Sequence, residues 1–210
     1  MQRKVFDKLA STTGAIIVIA LLVAGGLLTW GHSYVDNNVH NQLAMQQIYF
    51  PPQSVWKTAT KNNTGEIQAR MIPYLEKYSG QELLTGAQAE AYADHFIAYH
   101  LAVMPYGGVY SKISAAYLAA KPGSAQATTL KALEQTSFQG TTLRGLLLEA
   151  YGFSKIGAVM LWGAIASFIL AVLMAALVGG GLWHAARTPE EQRIFAHTLT
   201  NSGKSSVPVA

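Results

Sequence analysis

Two long, uncharged, apolar stretches constrain this chain more than any other feature of its sequence. The first spans Gly14 to Trp30 and the second spans Ile156 to Trp183. Because hydrocarbon cannot hydrogen-bond an exposed backbone, stretches of this length are stable in a bilayer as helices. The sequence therefore predicts two transmembrane helices, at residues 10–31 and 156–183.

Basic residues around the apolar stretches predict the orientation of the chain, because basic flanks stay in the cytoplasm. The flanking basic residues are Arg3, Lys4 and Lys8 before the first stretch and Arg187, Arg193 and Lys204 after the second. We therefore expect residues 1–9 and 184–210 to be cytoplasmic, with the tail disordered after about residue 200. Residues 32–155 are expected to be extracytoplasmic, at the plasma membrane of a bacterium. The first apolar stretch is longer than the core of a signal peptide, which favours an uncleaved anchor.

Composition excludes several classes of protein. Charged residues make up 12% of the chain, against about 25% in soluble proteins. The chain has no cysteine, which rules out disulfides and thiolate chemistry. No basic stripe with interleaved aromatic residues is present, so nucleic acid is not an expected partner. Nucleotide-binding, serine-hydrolase and EF-hand motifs are also absent, so we predict neither an enzyme nor a cofactor.

Helical periodicity continues beyond the first apolar stretch. Val35, Val39 and Leu43 recur at intervals of four, which predicts that the first helix projects out of the membrane until Phe50-Pro51-Pro52 ends it. The polar segment from Pro51 to Asn63 predicts a loop.

Capping patterns predict the helices of the middle segment. Asn63 followed by Glu66, and Thr85 followed by Gln88, both have the spacing of a capping box. Pro73 would confine the helix that follows Asn63 to short turns. The second capping pattern precedes an amphipathic helix with the apolar residues Ala89, Tyr92, Phe96, Tyr99 and Val103.

The C-terminal half predicts one very long helix. Ser124 can cap a helix that Gly140 ends, and Thr141 can cap another that runs without a turn signal into the second apolar stretch, about 40 residues in all. No strand-like alternation is present. We therefore predict an all-α protein with two transmembrane helices extended into an extracytoplasmic helical bundle.

Small residues recur every four positions in the second apolar stretch, and such residues let helix backbones approach closely in lipid. This row predicts a helix-packing surface whose partner is the first apolar stretch, a second copy or another protein, although an alanine-rich helix can show the spacing by chance. Besides the lipid bilayer, we therefore expect a homo-oligomeric contact or a place in a larger membrane complex. The row consists of Gly163, Ser167, Ala171, Ala175 and Gly179.

Histidine and carboxylate side chains at helical spacing predict two candidate polar sites. His32, Asp36 and His40 are four residues apart and are ligand types that zinc accepts, or they form a hydrated helix face. Glu90, Asp94 and His95 could take part in metal binding or acid–base chemistry, or lie on an exposed face.

Glu149 lies in a leucine-rich segment near the second apolar stretch. A carboxylate there favours an ion pair with Arg144 or Lys155, and the alternative is a functional carboxylate with a raised pKa.

Five segments resemble a group of two-span membrane proteins of actinobacteria that has no established activity. The segments are Val39-His40-Asn41-Gln42-Leu43, Gln47-Ile48-Tyr49-Phe50-Pro51, Thr85-Gly86-Ala87-Gln88-Ala89, Tyr92-Ala93-Asp94-His95-Phe96 and Thr142-Leu143-Arg144-Gly145-Leu146-Leu147. The resemblance implies a membrane location and a topology, and it carries over no catalytic residue.

Three functions fit the sequence. The leading hypothesis is a membrane accessory or scaffold protein that acts through protein–protein contacts. The first alternative is an extracytoplasmic ligand sensor or binding module, and the second is a metal-binding protein or metal-dependent enzyme.

Overall fold

The structure, a computed structural model, describes residues 3–62 and 67–187, and within these ranges it is helical with no β-strand. The prediction of an all-α fold is therefore confirmed. Short 3₁₀ turns at Ala69–Met71, Glu76–Tyr78 and Pro105–Gly108, and a π-helical turn at Ala93–Ile97, lie between the α-helices. The α-helices are α1 (Arg3–Ala44), α2 (Gln53–Asn62), α3 (Ile72–Leu75), α4 (Gly86–Tyr92), α5 (Ala98–Ala102), α6 (Tyr110–Ala119) and α7 (Ala125–Arg187).

The chain divides into two compact units. Unit 1 comprises the described parts of Met1–Leu28 and Trp162–Ala210, and unit 2 is Thr29–Leu161. Helices α1 and α7 are each long and apolar enough to cross a membrane, by length and composition. The predicted cytoplasmic tail lies largely outside the described residues, as does the predicted cap at Asn63 and Glu66.

In unit 1, α1 and α7 pack as an antiparallel pair whose contacts require glycine. A Cβ on Gly14 would lie 2.5 Å from Val178 Cγ2, and a Cβ on Gly25 would lie 2.9 Å from Phe168 Cε1. As the residue number on α1 rises from Gly14 to Gly25, the residue number of the contact on α7 falls from Val178 to Phe168, so the two helices are antiparallel. On α7 the better-buried positions alternate three and four residues apart through Ala164, Ser167 and Ala171, which is the seam expected of two helices that cross at a small angle.

Helix α7 is longer than predicted, and the predicted break at Gly140 is wrong. The helix runs unbroken for 63 residues from Ala125, and Ser124 caps it by accepting a hydrogen bond from Ala127 N. Gly140 serves close packing instead, since a Cβ there would lie 2.9 Å from Leu101 Cδ2. A glycine with ordinary helical φ therefore marks the place where another segment approaches α7.

The predicted loop between Pro51 and Asn63 is also wrong, because α2 occupies Gln53–Asn62. Trp56 and Ala59 of this helix are buried in the core of unit 2, and Trp56 Nε1 donates to Pro51 O at 2.9 Å. Two apolar contacts on one face thus stabilise a helix whose composition is otherwise polar.

The core of unit 2 forms where α1 and α7 meet the shorter helices. Val39 and Leu43 of α1 and Leu147 of α7 are buried with Leu83 and Ala89. Helix α1 ends at Ala44, ahead of the prolines, and Gln47 then takes a left-handed φ of 50°.

The predicted capping box at the start of α4 is confirmed, with Thr85 Oγ1 accepting from Gln88 N and Gln88 Oε1 accepting from Thr85 N. Pro73 falls in α3, a helix of four residues between two 3₁₀ turns, as the proline predicts.

Candidate functional site

A groove lies between α1 and α7 in unit 2. Its volume is about 440 Å³, within the range of pockets that hold small molecules. We call it the interhelical groove. Its lining residues are Tyr34, Val35, Asn38, Val39, Gln42 and Leu43 of α1, Gln46 of the turn after α1, and Leu143, Leu146, Leu147, Glu149, Ala150 and Phe153 of α7.

The two helices give the interhelical groove different walls. The amide side chains of Asn38 and Gln42 on α1, and of Gln46 in the turn after it, are spaced by four residues, and all three are exposed. The α7 wall is apolar apart from Glu149, with Leu146 58% exposed. Buried Val39, Leu43 and Leu147 belong to both the groove lining and the core, so the groove has an apolar floor and one amide-rich edge.

Apart from the Tyr34 phenol, Glu149 is the one ionisable side chain in the groove lining. The predicted ion pair of Glu149 with Arg144 or Lys155 is not formed. Arg144 pairs with Asp94 at 2.6 Å, and the Lys155 ammonium lies 4.9 Å from the centroid of the Tyr151 ring. Within the described residues, Glu149 therefore faces the groove as an exposed carboxylate with no ion-pair partner.

Two exposed aromatic rings line the groove, and they are its lining residues nearest in sequence to the apolar stretches. Tyr34 is 60% exposed and Phe153 is 48% exposed. The Tyr34 ring stacks on Trp30, with the ring centroids 5.8 Å apart. These rings offer a π surface to an occupant of the groove.

The candidate polar site on α4 divides into separate contacts. Asp94 lies on the π-helical turn and accepts from Arg144 of α7. The ring of His95 stacks on Tyr74, with centroids 3.5 Å apart and planes within 6°. Glu90 is half-buried and makes no hydrogen bond or ion pair with Asp94 or His95. The structure thus shows a set of packing and pairing contacts, with the carboxylate of Asp94 already neutralised by a guanidinium.

The candidate metal residues on α1 lie in unit 2. His32 Nδ1 donates to Gly157 O at 3.0 Å, and because a carbonyl only accepts, this bond fixes the proton on Nδ1. Asp36 and His40 are exposed. No group of three histidine, cysteine or acidic side chains within the described ranges could hold a metal ion, so the metal site stays a prediction from spacing.

The row of small residues on α7 does not stay on one face of the helix. Each step of four residues advances about 40° around an α-helix, so the row winds away from α1. Gly163 and Ser167 are half-buried, Ala171 is 1% exposed, and Ala175 and Gly179 are exposed. The first apolar stretch is therefore the partner of the first part of the row, and the second part faces outward.

Sequence reasoning did not find the interhelical groove. The sequence signal for it was the row of amides at Asn38, Gln42 and Gln46, spaced by four residues beside the apolar row of Val35, Val39 and Leu43. The second wall required knowing that residues 143–153 pack beside that helix.

No protein-family model matches this sequence, and no curated protein or solved structure is similar to it. The resemblance to the actinobacterial group stays a prediction.

Proposed function

We propose that this chain is an integral protein of a bacterial plasma membrane, with α1 and α7 as its two spans. Unit 1 exposes large apolar side chains throughout its described part, including Ile16, Leu27 and Leu177 at 63%, 63% and 71%. A surface of this kind is unfavourable in water and favourable in lipid. With basic residues at both ends of the sequence, the positive-inside rule favours cytoplasmic termini and an extracytoplasmic segment at 32–155.

Within the membrane, we propose that the protein is a non-enzymatic accessory or scaffold subunit that binds another helix. The observation that carries this proposal is the outward position of Ala175 and Gly179, beside the face that already packs on α1. Helices associate in lipid mainly through close backbone approach at small residues. The partner helix belongs to a second copy of this chain or to another protein of a larger membrane complex.

Substitution of the outward small residues tests this role. Ala175→Leu with Gly179→Leu should block close approach of a partner helix, and the particle mass of the protein in a native-lipid nanodisc should fall to that of one chain. Ala176→Leu is the matched control, since it adds the same side chain at another exposed position of the same helix. If the unsubstituted protein is already a single chain with no associated protein, the accessory role is wrong.

A second function is favoured by the interhelical groove. A concave site of about 440 Å³ with an apolar floor and a few polar groups has the character of a small-molecule site. On this proposal, unit 2 is an extracytoplasmic binding module, and α1 and α7 continue from the groove towards the membrane.

A further inference from the structure

We propose that the interhelical groove binds an amphiphile with an aliphatic chain and an ammonium head group. This inference rests on the second of the two functions above and names its ligand class. Three features of the groove carry it: the charge of its lining, its exposed aromatic rings, and its apolar floor.

The charge of the lining selects a cation. Glu149 is the one acidic residue of the lining, and no lysine, arginine or histidine lines the groove. Its carboxylate is exposed and has no ion-pair partner within the described residues. An exposed carboxylate beside an apolar floor attracts a positive group and repels a phosphate or sulfate.

Among cations, the aromatic rings favour a weakly hydrated ammonium group. Tyr34 and Phe153 line the same groove as Glu149, and the two residues are 60% and 48% exposed. Aromatic faces attract ammonium groups, and quaternary ammonium ligands are commonly held by aromatic side chains. Phe153 is four residues after Glu149 on α7, so ring and carboxylate lie on the same face of that helix.

The apolar floor of the groove favours an aliphatic chain. Val39, Leu43 and Leu147 belong to both the groove lining and the core, so an apolar chain in the groove would contact apolar side chains along its length. Burying a chain there removes the exposed side chain of Leu146 from water.

A second copy of this chain is a poorer occupant of the groove. A two-fold symmetric contact through the same face would bring two Glu149 carboxylates and no lysine or arginine of the lining into one interface, and like charges repel. A partner that supplies a positive charge avoids this cost.

Native mass spectrometry of the full-length protein in a maltoside detergent tests the proposal. The probes are decyltrimethylammonium and decyl sulfate, which share the chain length and differ in the charge of the head. We expect one decyltrimethylammonium bound per chain, with decyl sulfate bound at least about fivefold more weakly. Equal binding of the two probes would overturn the proposal.

Variants assign the binding to the groove. Glu149→Gln should weaken decyltrimethylammonium about fivefold, whereas Glu134→Gln, on the same helix and outside the lining, should leave it unchanged. Ala150→Trp should fill the groove and remove binding, with helix content by circular dichroism confirming that the variant folds. Unchanged affinity in the Glu149→Gln variant would contradict the charge argument, and unchanged affinity in a folded Ala150→Trp variant would contradict the location.

A photo-crosslinking residue at Leu146 identifies the natural occupant in native membranes. A lipid adduct supports the proposal, and a protein adduct overturns it in favour of a helix in the groove. The accessory role is tested separately at Ala175 and Gly179 in unit 1. If the protein keeps its membrane partner but binds decyltrimethylammonium no better than decyl sulfate, the result contradicts this inference and leaves the accessory role intact.

Discussion

Arg144 of α7 donates a 2.6 Å hydrogen bond from Nη2 to Oδ1 of Asp94, which lies on the π-helical turn after α4. Both side chains are partly exposed, at 39% and 36%. The bond joins the longest helix to a turn with one extra residue per hydrogen-bonded ring, a feature often found at functional sites. It also removes Arg144 as a partner for Glu149, which leaves the groove carboxylate available.

Removing this ion pair should have a small effect on stability. We expect Asp94→Asn to lower the free energy of unfolding by about 0.5–1 kcal/mol, because water and salt screen partly exposed pairs. Denaturant unfolding of the detergent-solubilised protein measures the change. A double-mutant cycle with Arg144→Gln isolates the pair, and a coupling energy that does not fall at high salt would contradict the screened description.

Gly108 should tolerate no side chain. Its φ is +64°, and a Cβ would collide with the carbonyl oxygen of Leu101, which is backbone and cannot move aside. Gly108→Ala should therefore destabilise the protein by about 3 kcal/mol or more. Thermal unfolding followed by circular dichroism gives the measurement.

Gly123→Ala is the matched control for Gly108. Gly123 has a φ of +77° with no atom within 4 Å of an added Cβ, so its substitution isolates the backbone strain, about 1 kcal/mol. Equal losses at the two positions would mean that the contact with Leu101 does not matter.

Ser137 of α7 binds the turn that contains Gly108. Its side chain is fully buried, and Oγ donates to Gly108 O at 2.7 Å. Ser137→Ala leaves that carbonyl without this donor and should cost about 1–2 kcal/mol. Thr136→Ala, which removes an exposed hydroxyl bonded within its own helix, should cost less than Ser137→Ala in the same unfolding measurement.

Local signals were readable from the sequence, and long-range ones were not. The capping box at Thr85 and Gln88 closes within four residues, so its letters suffice. The role of Gly140 depends on its contact with Leu101, and the ion-pair partner of Arg144 is Asp94. Both Leu101 and Asp94 lie well before α7 in the chain. Helix α2 formed in a polar segment because Trp56 found a buried site, which no pattern within the segment reveals.

The seam between α1 and α7 in unit 1 makes a prediction at two adjacent glycines. A Cβ on Gly25 would meet the Phe168 ring at 2.9 Å, whereas a Cβ on Gly26 would meet nothing within 4 Å. Gly25→Leu should lower the stability of the detergent-solubilised protein by about 1–3 kcal/mol, and Gly26→Leu should leave it nearly unchanged. A melt in which both variants behave alike would contradict the packing of α1 on α7 at this position.

The proposed topology can be tested with unusual clarity, because the chain has no native cysteine and any introduced thiol is unique. Ser111→Cys lies at an exposed position at the start of α6, and Ser205→Cys lies in the C-terminal tail. If residues 32–155 are extracytoplasmic, a membrane-impermeant maleimide should label Ser111→Cys in intact cells. Ser205→Cys should react only after the membrane is permeabilised, since the positive-inside rule places it in the cytoplasm.

The reverse labelling pattern would invert the topology while leaving the membrane anchoring intact. Labelling of both positions in intact cells would be incompatible with a chain that crosses the bilayer twice and keeps its tail inside. An alkaline carbonate wash separates these cases from a failure of anchoring, because a protein held by two helices stays in the membrane pellet and a peripheral one is released. The interhelical groove would then face whichever side Ser111 occupies, since both lie in unit 2.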